Sequence, residues 1–343
     1  MNISIISVFP PSNMGGAEVV WKNLKNKIKF KNISLKEKDL PKYLKIIPNN
    51  FHLKEIFCAT FLMKKAIKQN SKIIIYEKIF GWPKIKGKFK KVCYNHGSYT
   101  IAGLNFKNKN LIIYLFYKYV LGFFEKKSYK NSDKIIAVSN NVRNEMISNF
   151  NVPKRKIVVI NNGVDLNIFR HLKTKKKLRE KYNLPKNKKI IFFPGRPSFG
   201  KGFDIAKKVM KKIDKDYVLI VLGNHKFNQK NILSMGKIPH KEMPEIYNCA
   251  DLCLFPSRYE GNSLSILESA ACNTPLILSK VGLMKTERGM EEFIGNSIQE
   301  YVFKIQKINL KEAAKKWKNF SKKFNLEKQV KELNNFLKNE IKK

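Results

Sequence analysis

Short apolar runs alternate with amphipathic helical patterns along the 343 residues of the chain. Each run has the length of a strand, and the segment after it carries apolar residues every three to four positions, which is the periodicity of a helix. The same alternation restarts in the second half of the chain. Strands that alternate with helices are typical of parallel sheets, because each helix carries the chain back to the next strand. The pattern predicts an α/β protein with two Rossmann-like, doubly wound domains that face each other across a cleft.

The individual elements follow from these patterns. Strands are predicted at residues 3–8, 72–76, 91–94, 134–138, 158–160, 189–193, 217–222, 251–255 and 276–279. Helices are predicted at residues 17–28, 56–68, 110–129, from 140, 203–212, 241–247, 263–271 and within 309–340. No clear strand is found between residues 30 and 70.

The length of the chain favours two domains, at about 150 residues per domain. We expect a first domain over residues 1–165 and a second over 166–308, with the charged stretch 166–186 as a linker. A lysine-rich helical segment over residues 309–343 follows, and we expect it to cross back to the first domain.

The chain is strongly basic, with 69 Lys and Arg against 26 Asp and Glu and a formal charge of +43. Such a charge favours anionic partners, including nucleic acid and acidic lipid. A basic nucleic-acid-binding protein is therefore one alternative, but no recognised nucleic-acid-binding module is found, and the lysines are spread along the whole chain. We expect a cytoplasmic protein, because neither a secretory leader nor a run of ~18 apolar residues is found. The five cysteines are expected to be reduced and mostly buried.

Two carboxylates stand eight residues apart in segment 251–275, which reads as a strand, a Pro-Ser turn and a helix. Glu260 closes the turn, and Glu268 lies about two turns into the helix at ~3.6 residues per turn. On one face they can hold two ends of an extended polar ligand, such as a nucleoside diphosphate carrying a sugar. Backbone amides are expected to point outward between them, at the positive end of the helix dipole: those of Gly261, Asn262, Ser263 and Leu264.

A glycine-rich loop with the sequence GRPSFGKG follows a strand and opens a helix at residues 195–202. Glycines let the backbone approach a phosphate, and Arg196 and Lys201 can neutralise it. The loop almost matches a P-loop, but Gly202 stands where a P-loop carries the Ser or Thr that binds magnesium. We predict phosphate binding, with a P-loop-like nucleotide-binding protein as an alternative and a plain lysine-bearing turn as the structural interpretation.

Two further strand ends carry candidate residues in the first half. The loop MGGAE at residues 14–18 is a second strand-to-helix turn, in which Gly15 and Gly16 can face the cleft. His96 ends a strand in the sequence YNHG. A lone histidine is more often structural, but one at a strand end beside a glycine is a candidate catalytic group.

The helix around residues 111–124, with the sequence LIIYLFYKYVLGFF, is strongly apolar. Burial in the core is the favoured interpretation. The alternative is a helix that lies on an anionic membrane, since lysines stand within and beside it at positions 107, 109, 118, 126 and 127.

Six short motifs follow one another along the chain: GGAE near the start, HG at 96–97, AVS at 137–139, NNGVD at 161–165, GRxxxxKG at 195–202 and E-x7-E at 260–268. In this combination the chain resembles the retaining glycosyltransferases of family 4, which have the GT-B fold. The order and spacing match over nearly the whole chain. The most specific part is the E-x7-E motif joined to Arg196 and Lys201.

The resemblance implies a role for each residue of the second domain. Arg196 and Lys201 would bind the donor diphosphate, and Glu268 would take the ribose hydroxyls. Glu260 would contact the transferred sugar, and the amides that follow it would contact sugar and phosphate. A catalytically inactive GT-B domain that serves as an interaction partner is a further alternative, which the presence of all four side chains disfavours.

The resemblance also implies partners. The first domain would receive the acceptor, with His96 near the sugar and Gly15 and Gly16 facing the diphosphate. The donor would be a nucleotide sugar, and the acceptor a hydroxyl of a glycan or a lipid-linked molecule, as in cell-surface polysaccharide biosynthesis. No metal or other cofactor is expected, because two cations and helix N-termini do what magnesium does elsewhere. We expect no specific nucleic acid, and an anionic membrane surface on the cytoplasmic side as a further partner.

Overall fold

The chain forms two compact units, each built around one parallel sheet. The computed structural model describes residues 2–7, 16–25, 27–34, 40–46 and 52–342. Contacts within the chain assign residues 1–162 and 329–343 to the first unit and residues 163–328 to the second. The predicted α/β class is confirmed.

The first unit contains a six-stranded parallel sheet. Its strands are β1 Ile3–Ser7, β2 Lys31–Ser34, β3 Ile73–Glu77, β4 Lys90–Asn95, β5 Lys134–Ala137 and β6 Ile157–Val159. They are arranged in the order β2-β1-β3-β4-β5-β6. The described helices are α1 Gly16–Lys25, α2 Lys42–Lys45, α3 Leu53–Ile67, α4 Tyr99–Gly103, α5 Leu111–Leu115, α6 Gly122–Asn131 and α7 Asn140–Phe150.

The second unit contains a five-stranded parallel sheet in the order β11-β10-β7-β8-β9. Its strands are β7 Lys189–Phe193, β8 Tyr217–Val221, β9 Ile232–Ser234, β10 Leu252–Phe255 and β11 Leu276–Leu278. The remaining helices are α8 Lys175–Lys181, α9 Phe203–Lys212, α10 Met243–Cys249, α11 Leu264–Ala271, α12 Ile298–Lys307, α13 Leu310–Lys322 and α14 Leu326–Lys342. Helix α14 passes into the first unit, where Gln329 Nε2 donates to the hydroxyl of Tyr94 at 3.0 Å.

The central strands are mostly apolar because helices cover both faces of a parallel sheet. Every residue of β3 and of β8 is buried. The helices bury one stripe each, as α9 does with Phe203, Ala206 and Met210. The five cysteines are free and buried, as predicted, and burial raises the pKa of the Cys249 thiol to about 11.

The structure adds elements that the sequence pattern did not predict. Strands β2 and β9 each lie at one edge of their sheet and have four and three residues. Edge strands need few apolar residues, since one side of the strand faces no neighbour, and their pattern is correspondingly weak. Helix α8 lies within the stretch 166–186 that was interpreted as a linker, and α12 precedes the predicted C-terminal helical segment.

The apolar helix around residues 111–124 differs from the favoured interpretation. It is divided into α5, a π-helical turn over Phe116–Leu121, and α6. Tyr114 and Leu121 are buried, but Ile112 is 80% exposed and Phe123 is 55% exposed. Core burial is therefore wrong for this face, because the segment has apolar residues on more than one side and only one side packs on other helical elements of the first unit. Among the described residues, no helix has both the length and the apolar character needed to cross a membrane.

Candidate functional site

Two loops of the second unit leave the same edge of its sheet. β7 and β10 are neighbouring parallel strands, with Leu252 opposite Ile191. Their carboxyl ends therefore lie side by side. The glycine-rich loop over residues 194–202 follows β7 and leads into α9, and the loop over residues 256–263 follows β10 and leads into α11. Ligands of parallel α/β sheets bind at this edge.

The two loops are fastened together through their backbones. Gly202 has a φ of +71°, and a Cβ atom at this position would lie 1.9 Å from the carbonyl oxygen of Pro256. The amide of Arg258 donates to the carbonyl of Gly200 at 2.9 Å. No residue with a side chain fits at position 202 without a shift of the Pro256 backbone. The Ser or Thr of a P-loop is therefore not accommodated, which disfavours the P-loop alternative.

Arg258 adds a side-chain clamp between the loops, which the sequence reasoning missed. Its guanidinium donates to both carboxylate oxygens of Asp204, at 2.7 and 2.8 Å, and to the carbonyl of Phe199 at 2.6 Å. It also stacks on the Phe199 ring at 3.7 Å from the centroid. Paired N–H···O bonds of this kind fix geometry as well as distance. The clamp holds the loop that carries Glu260 against the start of α9.

Lys201 and Glu260 meet across the two loops. Lys201 Nζ lies 2.7 Å from Glu260 Oε1, and the hydroxyl of Ser257 donates to the same oxygen at 2.9 Å. The carboxylate side chain is 10% exposed, whereas the lysine side chain is 38% exposed. Both line a small recess together with Gly195 and Ser263. The recess thus has a fixed acid and a movable cation at its wall.

Arg196 stands in the same loop as Lys201 and is exposed. Among the described residues its side chain forms no ion pair, unlike Lys201. The guanidinium is therefore available to an anionic ligand that approaches this edge of the sheet. The two cations predicted from the GRPSFGKG loop belong to one loop, and Lys201 is the one that the structure pairs with Glu260.

Glu268 is held by two side chains that the sequence reasoning missed. His240 Nε2 lies 3.0 Å from Oε1, and the hydroxyl of Tyr247 donates to Oε2 at 2.9 Å. Tyr247 is fully buried, and its burial together with the negative charge of Glu268 raises the pKa of the phenol well above its usual value. These contacts fix the orientation of the carboxylate. They could not be found by spacing, since His240 precedes Glu268 by 28 residues and sits on another element.

Residues 261–264, which follow Glu260, form the entry to α11. Ser263 is the N-cap residue, with an extended backbone and no side-chain capping bond, and the helix starts at Leu264. Gly282 supports this entry from behind. It has a φ of +55°, and a Cβ atom there would lie 2.6 Å from the carbonyl of Glu260 and 2.7 Å from that of Gly261. Asn262 is buried within the loop, with 5% exposure.

The remaining predicted residues belong to the first unit. Gly16 is the first residue of α1, and Gly15 lies outside the described residues. His96 follows β4, stacked on the Tyr94 ring at 4.8 Å and edge-on to Trp21. Its Nε2 atom is shielded from solvent and has no hydrogen-bond partner in the described part of the chain. Burial, and to a lesser extent the charge of Lys78, lowers its pKa to about 3, so the imidazole is neutral at physiological pH.

A buried carboxyl group lies at the end of β3 in the same unit. Glu77 is 3% exposed and accepts a hydrogen bond from Trp21 Nε1. Burial, and then the negative charge of Glu18, raises its pKa from the ordinary 4.5 to about 8. In neither unit does the described chain place three or more His, Cys, Asp or Glu side chains where they could hold a metal ion.

The comparisons with known proteins cover both halves of the chain. The family model for glycosyl transferases group 1 matches residues 174–332, and the model for glycosyltransferase family 4 matches residues 40–168. The chain belongs to the family 4, group 1 glycosyltransferases. The first of these ranges contains Arg196, Lys201, Glu260 and Glu268, and the second contains His96.

The relatives of the chain agree with that family. An uncharacterized glycosyltransferase of Methanocaldococcus jannaschii is 30% identical over 61% of the chain and 60% of its own length. The chain spans about half the length of the curated relatives it matches. Sucrose-phosphate synthase from Thermosynechococcus elongatus has a TM-score of 0.81 at 18% identity, covering 98% of each chain. HepE of Anabaena in complex with UDP-glucose has a TM-score of 0.75 at 16% identity, covering 99% of this chain and all of its own. The fold is GT-B.

Proposed function

We propose that the protein is a retaining glycosyltransferase that moves a sugar from a nucleotide-diphosphate sugar to a hydroxyl of a glycan or lipid-linked acceptor. The observation that carries the proposal is the recess of the second unit, where Lys201 and Glu260 lie 2.7 Å apart. Glu268 stands two helical turns further along, oriented by two hydrogen bonds. In this proposal Glu260 contacts the sugar, Lys201 the diphosphate and Glu268 the ribose, so that each of the three successive parts of the donor has a partner.

The cations supply the chemistry. Cleavage of the bond between sugar and diphosphate places negative charge on the leaving oxygens and positive charge on the sugar carbon. Preorganised donors aimed at the leaving oxygens are worth several kcal/mol, and the loss of one costs ~10² to 10³ in rate. Arg196 and Lys201 are the residues proposed for this role, with the backbone at the start of α11 as a further source of positive potential. We propose that they act without a divalent ion.

The ion pair of Lys201 and Glu260 has a second consequence in this proposal. When the donor binds, the ammonium group of Lys201 turns to the diphosphate, and the carboxylate of Glu260 becomes free to accept hydrogen bonds from hydroxyl groups of the sugar. Ser257, which donates to Glu260 at 2.9 Å, holds the carboxylate in place during this exchange. His96 is neutral, so it contributes a hydrogen bond to the sugar or acceptor and not a charge.

A ligand panel tests the proposal. UDP-glucose, GDP-mannose, ADP-glucose and the corresponding nucleoside diphosphates are added to the protein in EDTA, and thermal unfolding is followed, because a ligand that binds the folded state raises its stability. We expect one base to stabilise the protein. The neighbour HepE is in complex with UDP-glucose, which makes UDP the first base to test. With the donor so identified, Lys201→Met is expected to lower turnover by ~10² or more.

The control for charge is Lys211→Met on the exposed end of α9, which removes one positive charge from the same helix region. It is expected to leave turnover unchanged. Equal turnover in Lys201→Met and Lys211→Met would remove the basis of the proposal. The retaining mechanism is tested separately by NMR, from the anomeric configuration of the sugar first released when the donor is hydrolysed slowly without acceptor.

A further inference from the structure

A strip of apolar side chains runs along the outside of the segment that joins α5 to α6. Its six members, which we call the apolar ridge, are each more than a third exposed: Leu111, Ile112, Leu115, Tyr119, Val120 and Phe123. Single exposed apolar residues are ordinary on protein surfaces. A run of large exposed apolar residues on neighbouring turns of one helical segment is unusual, and such patches mark interaction sites.

The π-helical turn explains why the ridge lies along one side. Residues four apart in an α-helix drift sideways around the axis, and the wider turn of Phe116–Leu121 reduces that drift. The opposite side of the segment packs on the first unit. Leu121 is fully buried in a cluster with Ile56, Ile79 and Tyr99. The helix is thus anchored by one side, and the ridge is presented outward.

The segment that carries the ridge bears exposed positive charge and no exposed negative charge. Residues 101–131, all of which the structure describes, contain six lysines and one acid. The lysines are exposed: Lys107, Lys109, Lys118, Lys126, Lys127 and Lys130. The acid, Glu125, is fully buried and accepts hydrogen bonds from the Ser98 hydroxyl and the Tyr99 amide, both at 2.8 Å. Its charge is therefore turned away from the surface.

The cations and the apolar groups alternate closely. Lys118 Nζ lies 5.1 Å from the centre of the Tyr119 ring, and Lys127 Nζ lies 5.4 Å from that of Phe123. Lysine stems can lie along apolar surface while their ammonium groups stay at the level of polar headgroups. A protein partner fits this surface less well, because lysine is depleted at protein–protein interfaces.

We propose that the apolar ridge enters the headgroup boundary of an anionic lipid bilayer, with the surrounding lysines bound to lipid phosphates. An amphipathic helix with a basic polar side lies in the plane of such an interface. The proposal does not depend on the sugar-transfer reaction, since the ridge belongs to the first unit and the recess described above to the second.

Vesicle sedimentation tests the proposal with the full chain and no donor. A protein of charge +43 binds anionic vesicles through charge alone, so the decisive variants remove apolar groups and keep the charge. Ile112→Ser with Phe123→Ser is expected to weaken binding to phosphatidylcholine–phosphatidylglycerol vesicles about tenfold. The matched control is Phe303→Ser on α12, which removes an exposed aromatic ring of the second unit and is expected to change nothing. Thermal unfolding verifies that each variant is folded.

A second measurement reports insertion directly. Phe123→Trp is expected to gain fluorescence that brominated lipids quench, whereas Phe303→Trp is expected to gain fluorescence that they do not quench. Equal vesicle binding by the serine double variant and the control, or equal quenching at both positions, would overturn the proposal. So would self-association of the lipid-free protein that the double variant abolishes, which would assign the ridge to a second copy of the chain.

Discussion

Tyr247 is expected to act on donor binding without touching the donor. Its hydroxyl donates to Glu268 Oε2 at 2.9 Å, and its ring is fully buried. Tyr247→Phe keeps the ring and removes only this bond. We expect the variant to weaken binding of the nucleoside part of the donor. Glu268 is the residue proposed to hold the ribose, and its carboxylate would lose one of the two hydrogen bonds that fix its orientation.

The magnitude follows from the kind of bond. A hydrogen bond to a charged group contributes about 1.5–3 kcal/mol, and every 1.4 kcal/mol is a factor of about ten in affinity. His240 remains 3.0 Å from Oε1 and keeps part of the orientation, so the lower end applies. We expect Kd for the nucleoside diphosphate to rise about tenfold. Thermal stability is also expected to fall by about 1–3 kcal/mol, since a buried carboxylate oxygen loses a donor.

Calorimetric titration with two ligands separates the ribose from the phosphates. UDP, or the nucleoside diphosphate that the panel identifies, contains the ribose, and pyrophosphate does not. Tyr247→Phe is expected to weaken only the former, whereas Lys201→Met weakens both. Tyr182→Phe is the matched control, because its hydroxyl donates to Glu245, a carboxylate of α10 outside the recess, at 2.7 Å. If Tyr247→Phe and Tyr182→Phe bind the nucleoside diphosphate equally well, Glu268 does not hold the ribose.

Two further predictions concern stability. Gly202→Ala places a Cβ atom 1.9 Å from the carbonyl oxygen of Pro256, at a residue whose φ is +71°. We expect the free energy of unfolding, measured with denaturant, to fall by more than ~2 kcal/mol and donor binding to weaken. Gly200→Ala, with no atom within 4 Å of the added group, should be nearly neutral, and equal losses in both variants would refute the close approach. Glu77 holds its proton more tightly when folded, so its contribution is complete below pH 4.5 and is lost as the pH rises through about 8. Glu77→Gln should therefore change the stability little near pH 4.5 and stabilise the protein by roughly 4–5 kcal/mol at pH 8.5. The exposed control Glu312→Gln should show no such trend. A difference in stability between Glu77→Gln and the native chain that does not change with pH would refute the raised pKa.

Much of the fold was predictable because its signals are local. The strands 189–193 and the helix 203–212 were predicted with the bounds that the structure gives them. Both show the apolar pattern of their class along most of their length, so their own residues carry the information. β2 and β9 were missed, because they are short, contain only one and two apolar residues, and are recognised mainly by the neighbour each pairs with.

The candidate site divides in the same way. The roles of Arg196, Lys201, Glu260 and Glu268 remain predictions, but their types and spacing were visible in two loops and one helix. Arg258, Tyr247 and His240 were not singled out, since each acts on a residue far away in sequence. Arg258 and Asp204 are 54 residues apart in the sequence, and Tyr247 and Glu268 are 21 residues apart.

By itself the sequence determined the class of fold, the order of the central elements and the charged side chains of one recess. It did so because short-range periodicity and motif spacing can be read from neighbouring residues alone, without reference to packing. Only the tertiary structure decided which of those side chains are paired, which glycine admits no other residue, and which side of the apolar segment 111–124 faces outward. Those properties depend on what a neighbouring element presents at a given point, and that arrangement exists only once parallel strands bring distant loops to a common edge.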